Sequence, residues 1–169
     1  ETGVTSGDYE VVQRTDTIDT GTTVRATTVL IDVNRYKNGN VTYDGTSGTK
    51  TYAGVSYGGN TAESNTMTLT GIAAGDTVRY LSGGRSEGTA GGAVNNTVNL
   101  LGTGAGTLKS VYGGYIGKAT NAADATGNTV NIAGGTAQNV YGGYTNGTGK
   151  TTGNIVNIGY TDKNGAFHA

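Results

Sequence analysis

The chain has 169 residues, a net charge of −1, and only 34% apolar and 14% charged residues. It carries 32 glycines and 11 tyrosines, with no cysteine, proline or tryptophan and a single histidine, His168. That composition excludes disulfides and thiol chemistry, histidine-cluster zinc sites, a basic nucleic-acid footprint and a membrane-spanning apolar run.

In chain order, residues 9–14 and 22–33 are β-prone, and residues 36–41 hold a hairpin signal around Asn38-Gly39. Residues 1–56 read as irregular coils or a cap with a β-hairpin. From residue 57 to 169 the chain turns repetitive. Gly127-Asn128-Thr129-Val130-Asn131-Ile132 returns as Gly153-Asn154-Ile155-Val156-Asn157-Ile158. Earlier copies are Asn95-Asn96-Thr97-Val98-Asn99-Leu100 and, more faintly, Ser64-Asn65-Thr66-Met67-Thr68-Leu69. A second motif alternates with the first, as Val111-Tyr112-Gly113-Gly114-Tyr115 and Val140-Tyr141-Gly142-Gly143-Tyr144. Its weaker copies are Leu81-Ser82-Gly83-Gly84-Arg85 and Ser56-Tyr57-Gly58-Gly59-Asn60. Both motifs share a period of 25–32 residues.

Glycine, threonine and asparagine are poor helix formers, and no stretch keeps apolar residues at helical spacing. Valine, isoleucine, threonine and tyrosine favour strands. A unit of this length with two or three short strands buries its apolar face only by stacking on its neighbours. The expected fold is all-β, a parallel β-helix with coils of 25–32 residues. Alternation sends Asn128, Val130 and Ile132 inward and Thr129 and Asn131 outward. The inward columns are then Met67, Val98, Val130 and Val156, beside Leu69, Leu100, Ile132 and Ile158. The second strand adds Val78, Leu108 and Ala137, then Leu81, Val111 and Val140. At about 4.8 Å per coil, the clear repeats make a rod about 15–20 Å long. Stepping on from Val140-Tyr141 reaches Ala166-Phe167, which reads as the start of a cut-off unit with no cap.

The alternation of these two motifs, best between Asn95 and Ile158, resembles the passenger-domain repeats of Gram-negative autotransporter adhesins. The resemblance implies a right-handed parallel β-helix, secreted to the bacterial cell surface, that displays binding surfaces. Neither a signal peptide nor the C-terminal membrane barrel of such proteins is seen, so the expectation is an excised or mature piece.

Tyr112, Tyr115, Tyr141 and Tyr144 are the candidate binding surface, since aromatic faces stack on sugars and fill protein interfaces. They serve equally well as rings stacked coil upon coil over the core. Asn65, Asn96, Asn128 and Asn154 share inward parity and form a candidate structural ladder of amides. Outward Thr66, Thr97 and Thr129 are interrupted by Ile155, which argues against an ice-binding array. Beyond residue 60 the acids Glu63, Asp76, Glu87, Asp124 and Asp162 are scattered, so no paired carboxylates or calcium repeat emerges. Asp16, Asp19, Asp32 and Asp44 are denser and read as solvated loop charge. Arg79, Arg85 and Glu87 fall in one repeat and read as a surface ion pair. Asn40, Asn95 and Asn146 begin glycosylation sequons.

No catalytic residue, metal or cofactor is expected. The reading is an extracellular, non-enzymatic β-solenoid that binds a host-surface protein or glycan, without nucleic acid or membrane insertion. The rival is a filament subunit that stacks end to end on copies of itself, and a carbohydrate-active enzyme ranks third.

Overall fold

The computed structural model describes residues 11–19, 24–32, 40–43, 50–56 and 59–168. All its regular structure is β, and three parallel sheets stack as a β-solenoid of about four turns. Strands β1 (Val11–Asp19) and β2 (Val24–Asp32) pair antiparallel ahead of it. Coils begin with β3 (Asn40–Tyr43) and β4 (Lys50–Ser56). The next is β5 (Ala62–Glu63), β6 (Thr66–Leu69) and β7 (Thr77–Ser86). There follow β8 (Ala93–Val94), β9 (Thr97–Leu100) and β10 (Thr107–Ile116). The third full coil is β11 (Ala125–Thr126), β12 (Thr129–Ile132) and β13 (Asn139–Thr145). The last holds β14 (Thr151–Thr152) and β15 (Ile155–Ile158), before a hairpin of β16 (Tyr160–Thr161) and β17 (Phe167–His168).

Each full coil therefore has a short, a medium and a long strand, and like strands stack in register. The short strands run β5-β8-β11-β14, the medium ones β3-β6-β9-β12-β15, and the long ones β4-β7-β10-β13. Pairing of Thr66 with Thr97, Thr97 with Thr129 and Thr129 with Ile155 sets the expected motifs side by side. Met67, Val98 and Val130 are fully buried in one column, as are Leu69 and Leu100 in the next. Val78, Leu81, Leu108 and Val111 face them from the long strands, with Ala137 and Val140 packed at the margin. A second, smaller apolar cluster of Ala93, Ile116 and Ala125 lies against the short strands. So few aliphatics suffice because the interior is thin and every coil is covered by its neighbours.

Within residues 1–56, read as irregular coils or a cap, Asn40-Val41-Thr42-Tyr43 is a medium strand in register with β6. Asn38, Gly39 and Asp44 lie outside the described residues, and the antiparallel pair seen near the N-terminus is β1 with β2. Two sequence expectations shift. The first long-strand motif is not the run around Gly58-Gly59. Gly54 pairs with Gly84 and Tyr52 with Ser82, which makes Tyr52-Ala53-Gly54-Val55 the equivalent segment. A small residue pair with a flanking tyrosine is shared by both segments, hence the misassignment; Tyr57 and Gly58 lie outside the described residues. Finally, Ala166-Phe167 does not resume the coil. Phe167 pairs antiparallel with Thr161, and Asp162 closes the turn by accepting from the backbone N–H of Asn164 at 2.8 Å and of Ala166 at 2.9 Å. His168 Nε2 lies 3.0 Å from the other Asp162 oxygen, and these bonds, His168 first, hold that carboxyl below its ordinary range.

The buried column fades toward the last coil: Val156 is 42% exposed and Ile158 75%. Truncating equivalent residues should separate interior from edge. Leu100→Ala should cost about 2–5 kcal/mol, whereas Ile158→Ala should stay within about 1 kcal/mol; urea unfolding of both variants measures the difference.

Candidate functional site

The corner between short and medium strands is built the same way in the four coils where both strands are described. Its first residue, Ser64, Asn95, Gly127 or Gly153, has φ between +55° and +66°. That left-handed turn is tolerated by glycine and more readily by asparagine than by most residues. It swings the next residue, Asn65, Asn96, Asn128 or Asn154, into the interior, where the first three are fully buried. Their amides form one chain. Asn65 Nδ2 donates to Asn96 Oδ1 at 2.8 Å, Asn96 to Asn128 at 2.9 Å, and Asn128 to Asn154 at 2.9 Å. Each Oδ1 also accepts the backbone N–H of the preceding asparagine, at 3.1, 3.0 and 2.9 Å. The second Nδ2 hydrogen goes to the carbonyl of Ala62, Ala93 or Ala125 one coil back. Oxygen and nitrogen are thus both used twice, which offsets the cost of burying an amide.

The glycine pairs exist because of these amides. A Cβ on Gly114 would lie 2.5–2.6 Å from the Asn128 amide, and one on Gly143 equally close to that of Asn154. Gly84 meets Asn96 in the same way. The first glycine of each pair is confined too: a Cβ on Gly142 would come 2.9 Å from Asn154 Cβ. The two interleaved sequence motifs are therefore the two sides of one contact.

Outside the glycine pairs lie the tyrosines. Register places Tyr52, Ser82, Tyr112 and Tyr141 in one column and Val55, Arg85, Tyr115 and Tyr144 in the next. Tyr112 and Tyr141 stack with centroids 5.2 Å apart, and Tyr115 and Tyr144 at 5.4 Å, both pairs within 7° of parallel. Across the columns, Tyr112 meets Tyr115 edge to face at 4.8 Å, and Tyr141 meets Tyr144 at 5.3 Å. Tyr112 and Tyr115 are buried, whereas Tyr141 is 37% exposed and Tyr144 partly so. All four candidate tyrosines come together, but their exposure is concentrated at the last rung.

Arg85 departs from the surface-pair expectation. It is only 9% exposed and lies 4.0 Å from the Tyr115 ring centre, 5.0 Å from that of Tyr52 and 5.8 Å from that of Tyr80. Small Ser82 occupies the place of a ring in its column, and Arg85 ion-pairs with Glu87. Burial opposes the Arg85 charge, but Tyr52 and Glu87 outweigh it and leave its pKa raised. Arg79 is not part of this group.

A second ladder escaped sequence reading. Asn157 Nδ2 donates to Asn131 Oδ1 and Asn131 Nδ2 to Asn99 Oδ1, both at 2.9 Å, on the outer face of the medium-strand sheet. The repeated Val-Asn-Ile and Val-Asn-Leu triplets were its signal. Thr66, Thr97 and Thr129 line up beside it, ending at Ile155. Among the described residues no three histidine, cysteine or acidic side chains gather as metal ligands.

These features define a structural repeat protein of the β-solenoid class. Comparison with protein-family models, characterised proteins and solved structures finds no match.

Asn128→Ala should cost about 3 kcal/mol or more, because it orphans the Asn96 amide donors and the Ala93 carbonyl. Asn131→Ala, on the outer ladder, should cost about 1 kcal/mol or less, and thermal unfolding compares the two. A pH effect also follows. Burial is the main cause that pushes the Tyr112 and Tyr115 phenols above their ordinary 10.0. The folded state thus favours the neutral rings, so their contribution is whole below about pH 10 and is lost as pH rises through the folded values. Unfolding followed by tyrosinate absorbance should show weakening on the alkaline side, and Tyr112→Phe, which has no phenol to ionise, should show less of it.

Proposed function

We propose that this chain is an extracellular, non-enzymatic adhesive scaffold, part of an autotransporter-like bacterial surface adhesin. The observation that carries this reading is the tyrosine layer, whose rings lie outside the core and open to solvent at Tyr141. Exposed Tyr141 and half-buried Tyr144, braced face to face by buried Tyr112 and Tyr115, form a rigid apolar surface with polar hydroxyl rims. Such a surface suits sugar faces and protein hot spots, because the rings lose little freedom on binding. Scattered acids support the non-enzymatic side: Glu63 ends β5, Asp76 precedes β7, Asp124 precedes β11 and Asp162 sits in the closing turn. Glu87 is engaged by Arg85.

The alternative is an end-to-end filament subunit. It is favoured by Ile155, Val156 and Ile158, which stand exposed on the last medium strand.

A glycan and host-protein binding screen separates the readings when combined with electron microscopy and light scattering across a concentration series. An adhesive scaffold should stay monomeric, bind at least one ligand, and lose about tenfold or more in affinity on Tyr141→Ala, as at a binding hot spot. Rods that lengthen with concentration, with no ligand found, would replace this reading with the filament.

A further inference from the structure

The last coil ends in groups that are paired in every coil before it. In the interior, each corner asparagine sends its backbone N–H and one Nδ2 hydrogen to the Oδ1 of the next corner. Asn154 keeps only its bond to the Ala125 carbonyl, and among the described residues nothing accepts from its N–H or its other Nδ2 hydrogen. The same edge is unpaired along β15. Ile155 N–H and Gly159 N–H bond back to Asn128 and Ile132, so strand alternation turns the N–H groups of Val156 and Ile158 outward. Tyr141 and Tyr144 each have one ring face covered, by Tyr112 and Tyr115.

We propose that this edge is a docking template for one further coil of the same repeat, supplied in trans by another polypeptide with an asparagine at its corner. Three observations select that occupant. The coil-to-coil interface is already established in register through β6, β9, β12 and β15, and the edge continues it without change. The chain's own next residues do not wind onward, because β16 and β17 close on each other as a hairpin. A second copy presenting its first coil would not complete the ladder. The residue ahead of β3 is Gly39, which offers no side-chain oxygen to Asn154.

The occupant must therefore bring an amide oxygen to the corner, a glycine pair behind it, and flat side chains opposite Tyr141 and Tyr144. Only an oxygen at that point satisfies two donors at once, which gives the edge selectivity beyond its apolar area.

The test adds a synthetic peptide of residues 137–158, which is one coil of this chemistry, to the intact chain and follows amide hydrogen exchange. Excess peptide should slow exchange at Asn154, Val156 and Ile158 by about tenfold or more, as ligand linkage requires. The same peptide with Asn154→Ala should not. Equal slowing by both peptides would overturn the proposal in favour of a non-selective apolar edge. Slowing that rises with protein concentration in the absence of peptide would assign the edge to a second copy instead. No slowing by either peptide would also overturn it. As a check independent of peptide folding, a copy of residues 133–158 inserted after Ile158 should protect the same three amides. Protection that survives Asn→Ala at the inserted corner would refute the role given to the amide oxygen. None of these exchange readouts depends on the adhesive surface.

Discussion

Everything in this solenoid is arranged around a buried chain of asparagine amides. An amide moved from water into an apolar interior costs several kcal/mol unless its donors and acceptor are met. Here they are met by the same group in the next coil and by a carbonyl in the previous one. The requirement propagates outward. The left-handed residue before each asparagine aims it inward, and the glycine opposite leaves room for it. Coils that satisfy the ladder are forced into a shared register, because a slip of one residue would turn the amide to solvent. The aliphatic clusters on either side then stack in columns as a consequence.

This division of labour explains how a chain with 34% apolar residues holds a defined interior. Burial supplies stability on both flanks, while hydrogen bonding in the middle supplies register. On the outer face beside the glycine pairs, stacked tyrosines supply the cover. Arg85 shows how tightly that outer layer is filled. Its guanidinium sits among three rings where Ser82 leaves space, a cation held by aromatic faces and by Glu87.

Much of the repeat body was legible in the sequence, because strand parity and stacking translate directly into columns. Met67, Val98 and Val130 illustrate this, as do the asparagines two residues before them. What was hidden falls into three kinds. The coil within residues 1–56 was not singled out, since Asn40-Val41-Thr42-Tyr43 keeps the alternation of the motif without an asparagine immediately ahead of it. Segment 160–168 was misread because a fixed step assumes that the path continues, and the hydrogen bonds gathered by Asp162 divert it. Which side chains share a surface across coils, such as Arg85 with Tyr115, depends on register to a single residue. The glycine pairs interrupt alternation at that very place.

The ladder also has a direction. Every amide oxygen along it faces the N-terminal end, and each links to a donor from that side. Backbone peptide groups in a parallel strand alternate and largely cancel along the stacking axis, but these side-chain dipoles add head to tail, as peptide dipoles do in an α-helix. The buried array therefore has its positive end at the C-terminal edge, while the outer ladder of Asn99, Asn131 and Asn157, whose oxygens face the C-terminal end, runs the opposite way and offsets part of it. In a solenoid with a net charge of −1, the medium strands thus separate two opposed rows of amide dipoles, one buried and one on the outer face.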